Sequence, residues 1–135
     1  MAVTSRVKSD HVLAECLPSD GVGSMVYKTG TQVGGRYQVA SCDPSSVDKM
    51  PAFGMLIEKL DSTTGIIQRR GIVQSVYSGL TPGERLFVDD GGGISNVPPE
   101  PSIGSPHVFM QSIGIALSGT EIDLDPNFSM ARRRY

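Results

Sequence analysis

Leu80-Thr81-Pro82-Gly83-Glu84-Arg85-Leu86-Phe87-Val88-Asp89-Asp90-Gly91-Gly92-Gly93-Ile94, resumed beyond a proline-rich passage by Phe109-Met110-Gln111-Ser112-Ile113-Gly114-Ile115-Ala116-Leu117-Ser118, decides the fold class. Both halves read as β structure. Thr81-Pro82-Gly83 sets a proline, with its fixed φ, before a glycine that accepts positive φ, which predicts a type II turn feeding a strand from Arg85 to Asp89. Asp90-Gly91-Gly92 then supplies a tight hairpin turn. The stretch carries no charged cluster, no nucleophile beside a base and no metal quartet. It is built to hold a shape.

Working outward, the same grammar recurs. Val12–Leu17 is strand-like and stops at Pro18. Met25-Val26-Tyr27 is a short strand closed by Thr29-Gly30, and Arg36–Ala40 alternates polar and apolar after a Gly34-Gly35 turn. Asp43-Pro44 predicts one helical turn with Asp43 as its cap and proline in first position. Ala52–Leu60 is the strongest strand, nearly continuous in apolar residues and therefore central. Asp61–Gly65 turns it into Ile66–Arg69, and Gly71 is expected to bend that strand before it continues through Ile72–Tyr77. A final hairpin pairs Val108–Leu117 with Glu121–Asp125. Gly54 and Gly114 each interrupt a strand interior, which suits a small barrel or a strongly bent sandwich.

The expected architecture is thus all-β: a small β-barrel or β-sandwich spanning residues 11–127, with an extended N-terminal arm (1–10) and a basic C-terminal tail (128–135) that trails away from it. Val26, Val39, Phe53, Met55, Ile57, Ile67, Val73, Leu86, Val88, Ile113, Ile115 and Leu117 are the predicted core. A chain of 135 residues makes one domain able to bury a core without disulfides. Sixteen glycines and nine prolines against 19% charged residues fit many short strands.

Composition also argues against several functions. A net charge of −2, no tryptophan, and four residues each of tyrosine and phenylalanine give little drive toward nucleic acid. No window reads as a membrane span or a signal peptide, so manufacture in a cytoplasm is expected. Cys16 and Cys42 lack CxxC spacing and read as two reduced, half-buried thiols. Asp89-Asp90-Gly91-Gly92-Gly93 falls short of both an EF-hand and a P-loop and reads as a turn. His11 and His107 are not brought together by spacing, and the serines lack a nucleophile elbow. No catalytic residue, metal or cofactor is expected. Two surfaces remain for a partner: the stiff loop bearing Pro98, Pro99 and Pro101, and the termini, with Arg6 and Lys8 on the arm and Arg132, Arg133 and Arg134 on the tail.

The succession Tyr77–Val88, a glycine-rich turn, Pro98-Pro99, Gln111–Leu117 and Glu121–Asn127 resembles a β module common in virion proteins of tailed bacteriophages. Asp48–Glu58 resembles the Met-Pro-Ala-hydrophobic-Gly strand of that module, so the likeness spans residues 24–127. The module is found in capsid decoration (cement) proteins and in some head-fibre and tail-fibre proteins. The resemblance implies a virion structural protein on the outer surface of a phage head, assembled in the host cytoplasm, with the major capsid protein as partner and a homo-oligomer as the assembled form; a trimer is expected because several capsid subunits meet at local threefold junctions. A head-fibre or tail-fibre module for host attachment is the alternative, although the chain has no heptads, collagen repeat or shaft. A polysaccharide hydrolase would need two carboxylates about 5–10 Å apart, and nothing pairs Glu15, Glu58 or Asp123.

Overall fold

The computed structural model describes residues 10–134, and the regular secondary structure among them is strand apart from two single 3-10 turns. Five strands close a barrel: β1 (His11–Glu15), β2 (Met25–Val33), β3 (Arg36–Ser41), β4 (Gly54–Lys59) and β5 (Thr64–Gln68), in the order β1-β3-β2-β4-β5. Closure comes from β1, which pairs antiparallel with β5 from His11↔Gln68 to Glu15↔Thr64 and parallel with β3 at Glu15↔Gln38. An open sheet follows from β6 (Gly71–Gln74), β7 (Arg85–Val88), β8 (Ile94–Ser95), β10 (Ser112–Ala116) and β11 (Glu121–Leu124), in the order β6-β11-β10-β7-β8. A two-stranded ribbon joins β9 (His107–Met110) to β12 (Ala131–Arg134).

The barrel and the sheet share a core, and this explains the continuous apolar run of β4. Val26 and Leu56 point into the barrel with Ala14, Cys16, Val39, Phe53 and Ile67. Their neighbours Met25 and Met55 point out of it and pack with Val73, Leu86, Val88, Ile113, Ile122 and Leu124 of the sheet. Both faces of β4 are therefore covered, so alternation is lost there. Cys16 and Cys42 are fully buried, not half-buried, one in each cluster. Burial pushes both thiols above the ordinary thiol range, Cys42 far above it.

Gly71 marks a change of sheet, where a bend within one strand was expected. The chain leaves the barrel at Gln68, passes Arg69 and Arg70, and re-enters β structure at Gly71 with φ +106, a backbone conformation that side-chain-bearing residues rarely adopt. The buried Gln68 amide spans the gap, its Nε2 donating to Arg70 O at 3.0 Å and Ile72 O at 3.2 Å.

The turns read from sequence are in place. Glu84 N–H donates to Thr81 O at 3.2 Å around Pro82-Gly83, and Asp90–Gly92 forms a single 3-10 turn between β7 and β8. The helical turn, by contrast, spans Val47–Lys49 and not the residues after Asp43. The Asp43 carboxylate is already taken, accepting from Ser45 N–H at 2.9 Å and Ser45 Oγ at 2.6 Å as an Asx turn.

Two predicted core residues lie at the surface. Ile115 is 43% exposed and Leu117 45%, whereas Ala116 between them is buried. The cause is Gly114. The β10–β7 register shifts between Ser112 and Gly114, so both Ile113 and Gly114 face inward and every later side chain is flipped to the opposite face. A Cβ on Gly114 would overlap the Asp123 carbonyl oxygen. Ile57 is only half-buried for a related reason, a register shift between Leu56 and Glu58.

Candidate partner-binding surface

The C-terminal tail does not trail away: it is the second strand of the ribbon. β12 runs antiparallel to β9 with Ala131↔Met110, Arg132↔Phe109, Arg133↔Val108 and Arg134↔His107. Val108 is buried, and Phe109 and Met130 pack against the shared core, so the pairing is anchored by apolar contacts at the strand that receives the tail. Three consecutive arginines favour neither helix nor strand strongly. The signal that could have located β12 is Phe128-Ser129-Met130, two large apolar residues just before it.

Strand alternation splits the three arginines. Arg133 is half-buried and turned toward the proline-rich loop, where its Nη1 donates to Pro99 O at 2.8 Å and stands 3.3 Å from Glu100 Oε1. Arg132 and Arg134 take the other side of the strand, exposed and without an ion pair among the described residues. Arg133 alone thus joins the two segments that the sequence singled out separately, and Pro98, Pro99 and Pro101 are half-buried. Beyond Pro101 the loop closes on itself, Ser102 N–H donating to Ser105 O at 2.9 Å. This lifts Ile103 to the tip at 81% exposure, an apolar contact point that the sequence reading did not single out. Arg6 and Lys8 lie outside the described residues. The arm joins the fold at Asp10, whose carbonyl accepts Arg69 N–H at 2.7 Å.

Under the loop lies a hollow of about 300 Å³ whose lining includes Asp43, Asp89, Asp90, Glu100 and Val108. Hydrogen bonding from the Ser45 hydroxyl holds the Asp43 carboxyl below the usual carboxylate range. Among the described residues, no group of three or more His, Cys, Asp and Glu is placed to hold a metal ion. The hollow is thus acidic, the other side of β12 is basic at Arg132 and Arg134, and Ile103 stands exposed on the loop between Ser102 and Ser105. Such a distribution can engage mixed-charge protein partners through hydrogen-bonded ion pairs and an apolar contact. Elsewhere the carboxylates have ordinary neighbours: Glu15 lies 3.9 Å from Arg36 Nη1, and Glu121 accepts from Gln74. Neither family models, curated proteins nor solved structures yield a match to the chain.

Proposed function

We propose that the chain is a capsid decoration protein, binding the outer surface of a tailed-phage head and cementing neighbouring major capsid protein subunits. The observation that carries the proposal is the resemblance of Asp48–Glu58, Tyr77–Val88, Gln111–Leu117 and Glu121–Asn127 to the phage virion module. Those segments contribute β4, β7, β10 and β11, the strands that pack the barrel against the sheet, so the likeness falls on the scaffold itself. The ribbon and the loop support the reading because they offer protein partners both signs of charge and an exposed apolar residue.

The mechanism is linkage. A protein that binds only the expanded lattice stabilises it by mass action, by about 2.7 kcal/mol per site at a free concentration one hundred times Kd. Arg132 and Arg134 contact one capsid subunit from the outer side of β12, Ile103 and the loop at Pro98–Pro101 contact its neighbour from the other side, and the arm with Arg6 and Lys8 adds to the attachment.

The test adds purified protein to undecorated expanded heads and measures occupancy across a salt series. Saturation at hundreds of copies per particle is expected, with R132A/R134A weakening occupancy at low salt and losing the salt dependence. Failure of the intact protein to bind heads would overturn the proposal. Recovery of the chain at only a handful of copies on native particles would transfer it to a fibre.

A further inference from the structure

The open sheet turns one face to the barrel and the other to solvent, and the solvent face carries a pattern. Along the row through Ile115, the cross-strand partners are Ile72 on β6, Asp123 on β11, Ile115 on β10 and Arg85 on β7. Residues paired across strands share a face. Ile72 is 57% exposed. Outward from Ile115 the row therefore reads base on the β7 side, and acid then apolar on the β11 side. The Asp123 and Arg85 side chains are exposed and make no hydrogen bond or ion pair among the described residues. On the next row Leu117 is exposed beside Glu121, whose carboxylate accepts from Gln74 Nε2 at 2.8 Å. Asp125, exposed two residues beyond Asp123, lines a shallow hollow with Arg85, Ile115 and Asp123.

We propose that this face binds a second copy of the chain across a two-fold axis, with β10 stacked over β10. Adjacent strands lie about 4.8 Å apart, so Asp123 and Arg85 stand at equal distances either side of Ile115. A two-fold axis lying in the interface along β10 exchanges left and right while keeping position along the strand. Ile115 then meets Ile115 of the second copy, and Leu117 meets Leu117. Asp123 meets Arg85 of the second copy, and Arg85 meets its Asp123. The other in-plane axis, running across the strands, would stack Asp123 on Asp123 and Arg85 on Arg85. Like charges held face to face are destabilising, so the charge pattern selects the axis along β10. Two sheets stacked in this way align their strands within about 30°. The row complements itself, which a partner of unrelated sequence would not require. An isologous contact of this kind closes at two copies. The inference rests on the sheet pattern alone, and it stands or falls separately from the capsid reading.

Sedimentation equilibrium of the full-length protein tests it. The wild type should dimerise, and R85E and D123R should each weaken dimerisation by about tenfold or more, since the symmetry places every substituted charge against a like charge twice. An equimolar mixture of R85E and D123R should associate about as tightly as the wild type. In that heterodimer the two introduced side chains, a glutamate on one copy and an arginine on the other, face each other, and the native Asp123 of the first copy faces the native Arg85 of the second. The double variant R85E/D123R should likewise recover, because it carries both pairs reversed. Circular dichroism of each variant controls for folding. A wild type that stays monomeric at about 100 µM, where even a weak interface is populated, would overturn the proposal. So would a trimer, or a mixture no tighter than its components.

Discussion

At the scale of single residues, the most consequential side chain is one that a hydropathy reading passes over. Gln111 is wholly buried between β9 and β10, and its amide acts as a surrogate strand: Oε1 accepts Ala52 N–H at 2.7 Å and Nε2 donates to Ala52 O at 2.8 Å. Both backbone groups of Ala52 depend on it. Gln111→Leu keeps the volume but orphans a buried donor and a buried acceptor, each costing about 1–3 kcal/mol, so a loss of about 2 kcal/mol or more is expected in urea melts. A loss under about 0.5 kcal/mol would mean that water reaches Ala52.

Neighbouring isoleucines on β10 give a second test. Ile113 is fully buried and Ile115 is not, so Ile113→Ala should cost about 2–5 kcal/mol and Ile115→Ala under about 1 kcal/mol in the dilute, monomeric protein. Equal losses would restore the unbulged register. Asp43 supplies a pH test. Because hydrogen bonding by Ser45 lowers its folded pKa, its stabilisation is present above the unfolded carboxylate pKa of about 3.9 and is lost as pH falls through the lower folded value. Asp43→Asn should therefore melt lower than the wild type at pH 6, with the difference closing at the acid end of a titration. A difference that does not change with pH would assign the Asx turn's contribution to neutral hydrogen bonding alone.

At the scale of elements, the sequence was legible wherever turn chemistry and alternation agreed. Pro82-Gly83, Asp90–Gly92 and Gly34-Gly35 bound their strands as expected because proline and glycine determine local dihedrals without tertiary help. It was illegible where long-range pairing decided. The flip at Gly114 depends on the approach of Asp123 O, and the sheet change at Gly71 on the Gln68 amide, neither of which leaves a local trace. Part of the candidate surface was legible too, since Pro99 and Arg133 were singled out. That they meet was not, because the contact joins residues 34 positions apart.

β12 is the element whose reading changes most, and its prediction changes with it. A mobile tail could be removed without cost, whereas truncation after Asn127 strips β9 of its partner and removes Met130 from the shared core. The truncated protein should fold but melt several degrees lower, as a loss of about 1–2 kcal/mol implies for a domain of this size. An unchanged melting temperature would return 128–135 to the status of a tail and leave Arg133 free for a partner.

For the whole molecule, the question is whether barrel and sheet are two folding units or one. Closed barrels are self-sufficient in hydrogen bonding, since closure leaves no strand edge. This barrel, however, is not self-sufficient in burial: Met25 and Met55 point out of it, and they are fully covered only because Val73, Leu86, Ile113 and Ile122 lie against them. The sheet has even less of its own, for its outer face is solvent-exposed and its only apolar layer is the one it shares. Separating the two would expose a pair of methionines on one side and the inner side chains of five strands on the other. The sheet keeps no buried layer without the barrel, and the barrel loses the cover of Met25 and Met55, so thermal unfolding should be a single cooperative transition. Calorimetry on the dilute protein should give a van't Hoff enthalpy equal to the calorimetric one. Two resolved transitions, or a barrel fragment spanning residues 1–70 that folds alone with native-like protection, would show that the shared methionine layer contributes little and that the barrel is the independent unit.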